Sequence, residues 1–262
     1  MPHPLDHLTH VWMLTTGRPI DRRTEAWLVP APAARPELGG HPGGLLTSLD
    51  ELTGPEFQAT VVAPGVRDFY ENTDDWDMGL RVAWDPVMRV GAQVMSRLWM
   101  HRLDQLALPT AEADLVGGVL SSVTRHETVA GPGYATWVRT LRSSGRRMYA
   151  GQYDVVHRPG ARQPSVRVAF PLPSGWLVVL LRPGNAVNGA MTLQSCVGRF
   201  GDDGAYLVLL RDSGRAIARR VPIDETFRLV SGANDSSLVR AVHDLRLLGR
   251  EAARLRYELR RR

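Results

Sequence analysis

Residues 165 to 182 read Ser-Val-Arg-Val-Ala-Phe-Pro-Leu-Pro-Ser-Gly-Trp-Leu-Val-Val-Leu-Leu-Arg, two apolar runs joined by a Pro-Ser-Gly turn signal. In the first run Val166, Val168 and Phe170 alternate with other residues, the period of two that is typical of a half-buried strand. The second run is apolar on both faces, so both sides of that strand are expected to be covered. Together the two runs predict a pair of antiparallel strands.

The same pattern extends over residues 137 to 259. Short runs rich in Val, Leu, Ile, Tyr and Phe are separated by turn signals such as Asp-Asp-Gly and Asp-Ser-Gly, with no helical periodicity between them. Neighbouring antiparallel strands must close into a barrel or stack as a sandwich to hide their edges. We predict a mainly β fold, an antiparallel up-and-down β-barrel. The predicted strands are 78–84, 116–127, 136–142, 147–157, 165–172, 175–182, 189–197, 205–211, 215–221, 223–230, 238–248 and 251–259.

A helical pattern precedes most of these strands. Asp85-Pro86 is a strong helix start, because Asp caps free backbone N–H groups and Pro fits the first helical position. Apolar residues then recur at helical spacing up to Leu106, and Pro109 ends the helix. We predict one long amphipathic helix, 86–106, that covers the barrel. The alternative is a helix that docks on a membrane surface.

Residues 1 to 62 give the weakest signal, since eight Pro and Gly residues between positions 30 and 44 interrupt them. We predict a partly irregular N-terminal arm over 1–62 and a single β-barrel domain over 63–262, which includes the helix. Trp12 and Trp27 are costly to leave in water, so part of the arm is expected to dock on the barrel.

Composition excludes several chemistries. All 32 Lys+Arg residues are Arg, which rules out a lysine Schiff base and the lysine of a P-loop. Cys196 is the single cysteine, so no intrachain disulfide or cysteine-based zinc site can form. The net charge of +5 is spread through the strands, and we expect no nucleic-acid partner.

The sequence shows neither a signal peptide nor a membrane-spanning segment. The first fourteen residues lack the basic start and apolar core of a signal peptide, and no apolar run of about eighteen residues occurs. We therefore expect no integral membrane segment and a cytoplasmic location. A homodimer is left open.

Familiar catalytic motifs are missing from the sequence. There is no Gly-x-Ser-x-Gly, and His126-Glu127 lacks the second histidine of a zinc-protease helix. Gly198, Gly201 and Gly204 lie between predicted strands, whereas a dinucleotide-binding loop needs a helix behind it. We expect no metal and no cofactor.

Polar residues that interrupt dry strand faces are the candidates for a site, because a buried polar group is costly unless it is paired or used. Glu225 interrupts the face of Ile223 and Phe227, and His243 interrupts an apolar face of its own strand. Glu225 and His243 are the candidate catalytic residues. The candidate ligand-binding residues are Arg139, Tyr149, Tyr153, Trp137, Trp176 and Tyr257. If their faces line one interior, acid-base groups converge in an apolar cavity.

Each candidate also has a purely structural interpretation. Glu225 and Arg139 can form a buried ion pair, and His243 can be a hydrogen-bonded core histidine. The tyrosines can be core residues with their hydroxyls at the rim. A thiol pair of Cys196 and His243 requires a proximity that the sequence does not show.

Four segments resemble a group of uncharacterised bacterial proteins of this length. They are Phe69–Thr73, Trp84–Pro86, Leu103–Pro109 and Phe170–Gly175. The resemblance covers residues 64 to 259 and implies no activity. In architecture the chain looks like calycin-type or lipocalin-like barrels, which bind small apolar molecules, and cofactor-independent cyclases of polyketide-type metabolites use similar barrels. This likeness implies a fold and transfers no catalytic residue.

The leading hypothesis is a cofactor-independent cyclase or isomerase of secondary metabolism that acts on a small hydrophobic, polyketide-like metabolite inside the barrel. The alternative is a non-catalytic carrier or sensor of a small hydrophobic ligand. A third hypothesis has the helix and the arginine-rich C-terminal tail dock on a partner or an anionic surface.

Overall fold

The structure is a computed structural model of the 262-residue chain. It describes residues 2–5, 12–13, 37–91, 109, 115, 117–128, 131–172, 175–195, 198–210, 216–232 and 235–262.

Strands dominate the described residues. In chain order they are β1 (His3–Leu5), β2 (Glu37–Pro42), β3 (Trp76–Trp84), β4 (Val119–Thr128), β5 (Gly131–Leu141), β6 (Arg147–Val156), β7 (Ser165–Leu172), β8 (Gly175–Asn185), β9 (Met191–Ser195), β10 (Gly204–Leu210), β11 (Ala216–Val221), β12 (Ile223–Gly232), β13 (Asp235–Leu247) and β14 (Arg250–Arg261). Helix α1 spans Pro64–Glu71, and short 3-10 turns lie at Leu49–Leu52, Ala59–Val61, Thr73–Asp75 and Val187–Gly189.

Ten of the strands close into an antiparallel barrel. Their order is β3, β4, β5, β6, β7, β8, β9, β12, β13 and β14, and β14 pairs back with β3. Among the described residues the β3–β4 junction is the shortest, since Met78 and Val119 are the one pair that joins the two strands there. Beside it, the Asp74 carboxylate accepts a hydrogen bond from the backbone N–H of Val123 at 2.8 Å. The predicted mainly β, closed antiparallel barrel is confirmed.

The barrel meander is interrupted by strands that leave the barrel, a feature that strand periodicity does not predict. The first half of β8, residues 175–180, pairs with β10, whereas its second half, 182–185, pairs with β9. Strands β10, β11 and β1 thus form a wing outside the barrel. Because both faces of β8 are apolar, Val179 belongs to the barrel core while Val178 belongs to a second core under the wing.

Helix α1 closes one end of the barrel, which we call the α1 end. Phe69 and Tyr70 of this helix belong to the barrel core. Gly65 lets the helix approach β13 closely, since a Cβ there would lie 2.4 Å from the backbone oxygen of Ser236. Leu45 and Leu46, from the predicted arm, are buried in the same core.

Most of the predicted covering helix falls outside the described residues. A helix begins at Pro86, and the Asp85 carboxylate accepts from the backbone N–H groups of Val87 and Met88, both at 3.0 Å. Its predicted course from 92 to 106 lies beyond the described part. Of the two arm tryptophans, Trp12 is buried in the second core, and Trp27 lies outside the described residues.

Candidate ligand cavity inside the barrel

The barrel encloses a cavity of about 240 Å³. Its wall is mostly apolar and is built from the inward face of the barrel strands, with Leu45, Leu46, Phe69 and Tyr70 at the α1 end. An apolar cavity with a few polar groups is the usual form of a small-molecule site.

The cavity brings together seven of the eight side chains selected from the sequence. They are Trp137, Arg139, Tyr149, Tyr153, Glu225, His243 and Tyr257. Side chains of a strand alternate between its faces, and closing the sheet points each inward face at the same interior. Trp176 lies elsewhere, because it is on the outward face of β8 in the second core.

Arg139 lies deep in this cavity and is only 7% exposed. Its guanidinium carbon lies 4.1 Å from the ring centre of Trp137 and 4.3 Å from that of Tyr149, so it is held between two aromatic faces. One of its terminal nitrogens donates to the Tyr153 hydroxyl at 3.4 Å. Burial opposes its charge, but the surrounding tyrosine oxygens favour it, and the net pKa of Arg139 is raised.

The tyrosines around Arg139 are held in their neutral form. Burial raises the pKa of Tyr153 to about 12, despite the nearby guanidinium. Burial likewise raises the pKa of Tyr149 well above its ordinary value and raises that of Tyr257. At neutral pH these side chains therefore present hydroxyl groups, and not phenolates, to the cavity.

Glu225 and His243 meet on neighbouring strands. The Nε2 atom of His243 lies 3.4 Å from a carboxylate oxygen of Glu225, and the imidazole stacks on Phe227 at a ring-centre distance of 3.8 Å. The separation fits an ion pair, but the geometry is not that of a hydrogen bond, and neither ring nitrogen has a hydrogen-bond partner. The backbone N–H of Glu225 donates to the Ser195 hydroxyl at 2.7 Å, which ties β12 to β9.

Three buried nitrogens in the cavity lack hydrogen-bond partners among the described residues. They are both ring nitrogens of His243, which is 7% exposed, and Nε of Arg139. Buried polar groups are rarely left unpaired. A carboxylate beside an imidazole can transfer a proton, and a guanidinium can polarise a carbonyl or pair with a carboxylate.

The purely structural interpretations of Glu225, Arg139 and His243 do not match the contacts of these residues. In the described part of the chain, no ion pair joins Glu225 to Arg139, and Glu225 faces His243 instead. His243 is also not a hydrogen-bonded core histidine. Cys196 lies outside the described residues. Within the described residues, no group of three or more His, Cys, Asp or Glu side chains is placed to hold a metal ion.

Two contributions to the cavity were missed by the sequence analysis. The α1 end is lined by Phe69 and Tyr70. Together with Val66 they form an apolar face at helical spacing, but this spacing does not show which surface the face meets. Phe227 was noted only as an apolar neighbour of Glu225, although it stacks on His243 from the adjacent strand. Its position two residues along the same face as Glu225 was the available signal.

Comparisons with known proteins give one significant match among curated sequences. No family model matches the chain, and no solved structure matches it significantly. The uncharacterized membrane protein YndJ of Bacillus subtilis (strain 168) is 25% identical over 222 residues. The match covers 82% of this chain but 38% of the relative, so the chain spans well under half of that protein.

This relative overturns the predicted cytoplasmic location, because its name describes a membrane protein. The prediction rested on the missing signal peptide and on the lack of a long apolar run, and neither observation tests association with a membrane by other means. In the described part of the chain, no helix has both the length and the apolar character needed to cross a bilayer.

Proposed function

We propose that the barrel binds a small, mostly apolar molecule that carries an oxygen acceptor, such as a carbonyl or a carboxylate. The observation that supports this most directly is the set of nitrogens on Arg139 and His243 that lack hydrogen-bond partners among the described residues, inside an apolar cavity. The apolar body of the ligand would contact residues such as Val168 and Leu229, and its oxygen would accept from Arg139. The barrel's closure around an apolar cavity supports the comparison with calycin-type and lipocalin-like carriers.

The contact between Glu225 and His243 favours a second step, catalysis. In this proposal the barrel is a cofactor-independent cyclase or isomerase. Arg139 polarises the ligand carbonyl, and Glu225, with His243 beside it, removes a proton from the adjacent carbon. The electron pair of the broken C–H bond moves to the carbonyl oxygen as an enolate beside Arg139, and the protonated Glu225 returns the proton to the other face of that carbon or to a conjugated carbon. Exclusion of water and restriction of ligand motion would lower the barrier further. If Glu225 performs no such step, the barrel remains a carrier or sensor.

The name of the relative supports a further part of the proposal, that this chain works at a membrane. An apolar ligand that partitions into lipid fits such a setting. Fractionation of cells that express the full chain tests this part: recovery in the membrane pellet is expected, and recovery only in the supernatant would contradict it.

The binding proposal is tested by calorimetric titration with methyl octyl ketone and with decanoate. Replacing Arg139 by Met keeps most of the side-chain volume but removes the donors. Since a hydrogen bond to a buried charged group contributes roughly 1.5–3 kcal/mol, affinity is expected to fall about 10- to 100-fold. Arg228→Met is the matched control, because Arg228 is exposed on β12. Equal affinity in wild type and Arg139→Met would contradict the role of Arg139, and failure of both probes to bind would contradict the proposed ligand class.

The catalytic proposal has its own assay. Wild-type protein in heavy water is expected to exchange the hydrogens next to the carbonyl of methyl octyl ketone, followed by proton NMR. Glu225→Gln should slow this exchange by about 10²-fold or more, whereas Asp224→Asn, the next position along the strand, should not. If the wild-type protein binds the ketone without hydrogen exchange, the enzyme hypothesis is rejected and the carrier hypothesis is kept.

A further inference from the structure

The hairpin between β13 and β14 ends in an exposed apolar turn. Residues 246–250 read Arg-Leu-Leu-Gly-Arg, and we call them the RLLGR tip. Leu248 is 73% exposed and has a φ of 54°, followed by Gly249 at 77°. Gly adopts this left-handed region freely, but a Leu there is uncommon because its Cβ crowds the backbone. The turn thus holds a large apolar side chain in water on a strained backbone.

The α1 end of the barrel offers a direct contrast. There the left-handed position of a turn is occupied by Asn188, with a φ of 59°. Asn adopts this conformation readily. Leu248 gains little burial from its own fold, so its occurrence at such a position points to a contact outside the described chain.

Positive charge flanks the tip on both sides. Arg246 and Arg250 are exposed, and neither forms an ion pair with a described residue. Asp224 and Glu251 are opposite Arg246 on the two neighbouring strands, but neither lies within 4 Å of its guanidinium, and Glu251 lies 3.9 Å from Arg254. The two arginines are therefore free to meet an anionic surface.

The first turn of the helix that begins at Pro86 adds to the same end of the barrel. The backbone N–H of Asp85 donates to the carbonyl of Ala252 at 3.0 Å. Ala252 is two residues from Arg250, about 7 Å along a strand. Val87 and Val90 in this turn are 77% and 58% exposed. An apolar group with arginines around it is the composition of a membrane-interface surface.

We propose that the RLLGR tip and this helical turn dock on an anionic lipid bilayer. Leu247, Leu248 and Val87 enter the interface between headgroups and acyl chains, while Arg246 and Arg250 bind the lipid phosphates. The surface is separate from the cavity. The inference deepens the proposed membrane location and does not depend on what the cavity binds. The proposed docking surface lies at the end of the barrel opposite α1. Ile223 and Leu245 line the cavity near this end.

Sedimentation of the full chain with vesicles tests this surface. Wild-type protein is expected to sediment with phosphatidylcholine vesicles that contain phosphatidylglycerol, and less with pure phosphatidylcholine. Arg246→Gln and Arg250→Gln should each weaken binding about fivefold. Raising the salt concentration should weaken it further. The double variant Leu247→Ser with Leu248→Asn should release the protein, and its fold is protected because Asn suits the left-handed turn.

Val61→Ser with Val187→Ser is the matched control, since both valines are exposed at the α1 end. Equal loss of sedimentation in this control would overturn the assignment of the surface. Absence of wild-type sedimentation with anionic vesicles at low salt would overturn the proposal itself. Undiminished binding of both arginine variants would overturn the phosphate contacts.

Discussion

Two arginines of the barrel wall are equally buried but have different contacts. Arg139 and Arg167 are each 7% exposed. Arg167 points out of the barrel, where it forms a two-pronged ion pair with Asp154 and donates to the backbone oxygen of Trp12. Arg139 points into the cavity and meets aromatic faces and a hydroxyl. Burial alone therefore does not identify a functional charge. Arg139 is the candidate because, among the described residues, it has no carboxylate partner and faces the cavity.

The largest expected effect comes from breaking the paired arginine. Arg167→Met leaves the Asp154 carboxylate without its partner, at a side-chain exposure of 12%. Removing one member of a buried ion pair costs roughly 3–5 kcal/mol. We expect a loss of that order in the free energy of unfolding, measured by urea denaturation. A loss below about 1 kcal/mol would mean that the pair contributes little to the fold.

The tyrosines beside Arg139 give an effect of intermediate size through pH. The unfolded chain loses phenolic protons near pH 10, while Tyr153 keeps its own until about pH 12. Because the folded-state pKa is raised, stability is complete below pH 10 and falls as pH rises between the two values. The expected slope is up to about 1.4 kcal/mol per pH unit for each such tyrosine.

Tyr153→Phe should reduce this slope, as measured by urea denaturation at a series of alkaline pH values. Ultraviolet absorbance of tyrosinate provides the direct reading of ionisation. Full ionisation of all six tyrosines near pH 10 in the folded protein would contradict the buried cluster.

The smallest effect on stability is expected at Arg139, which has no carboxylate partner among the described residues. Arg139→Met removes this buried charge. The unbranched Met side chain takes the place of the apolar stem of Arg139. We expect the free energy of unfolding to change by less than about 1 kcal/mol, or to rise. A loss as large as that of Arg167→Met would show that Arg139 is structural, and the contrast between the two residues would disappear.

The sequence predicts the parts of this architecture that depend on local pattern. Alternation along each strand gives its inward set of residues, and closure of the barrel then brings Arg139, Glu225 and His243 to one cavity. Trp176 was predicted to line the cavity but lies in the second core, because alternation does not predict which face of its strand points inward. Strand β8 is apolar on both faces, so periodicity defines two faces but not which of them is inside.

The fork at β8 and the plug at the α1 end depend on contacts between distant segments. Both faces of β8 were expected to be covered, and Tyr206 and Val208 of the wing pack against the outer one. Likewise Leu45 and Leu46, which belong to the predicted arm, are core residues of the barrel. No local signal specifies these long-range pairings.

The short β3–β4 junction has a consequence for how the barrel moves. A ring of strands separates where the fewest inter-strand hydrogen bonds must break, and here that place is the single pairing of Met78 with Val119. The barrel is therefore a curled sheet whose two edges, β3 and β4, are joined weakly, with the hydrogen bond from the Val123 N–H to Asp74 beside the junction. Amide hydrogens along this seam are the ones expected to exchange with solvent before those of the other junctions.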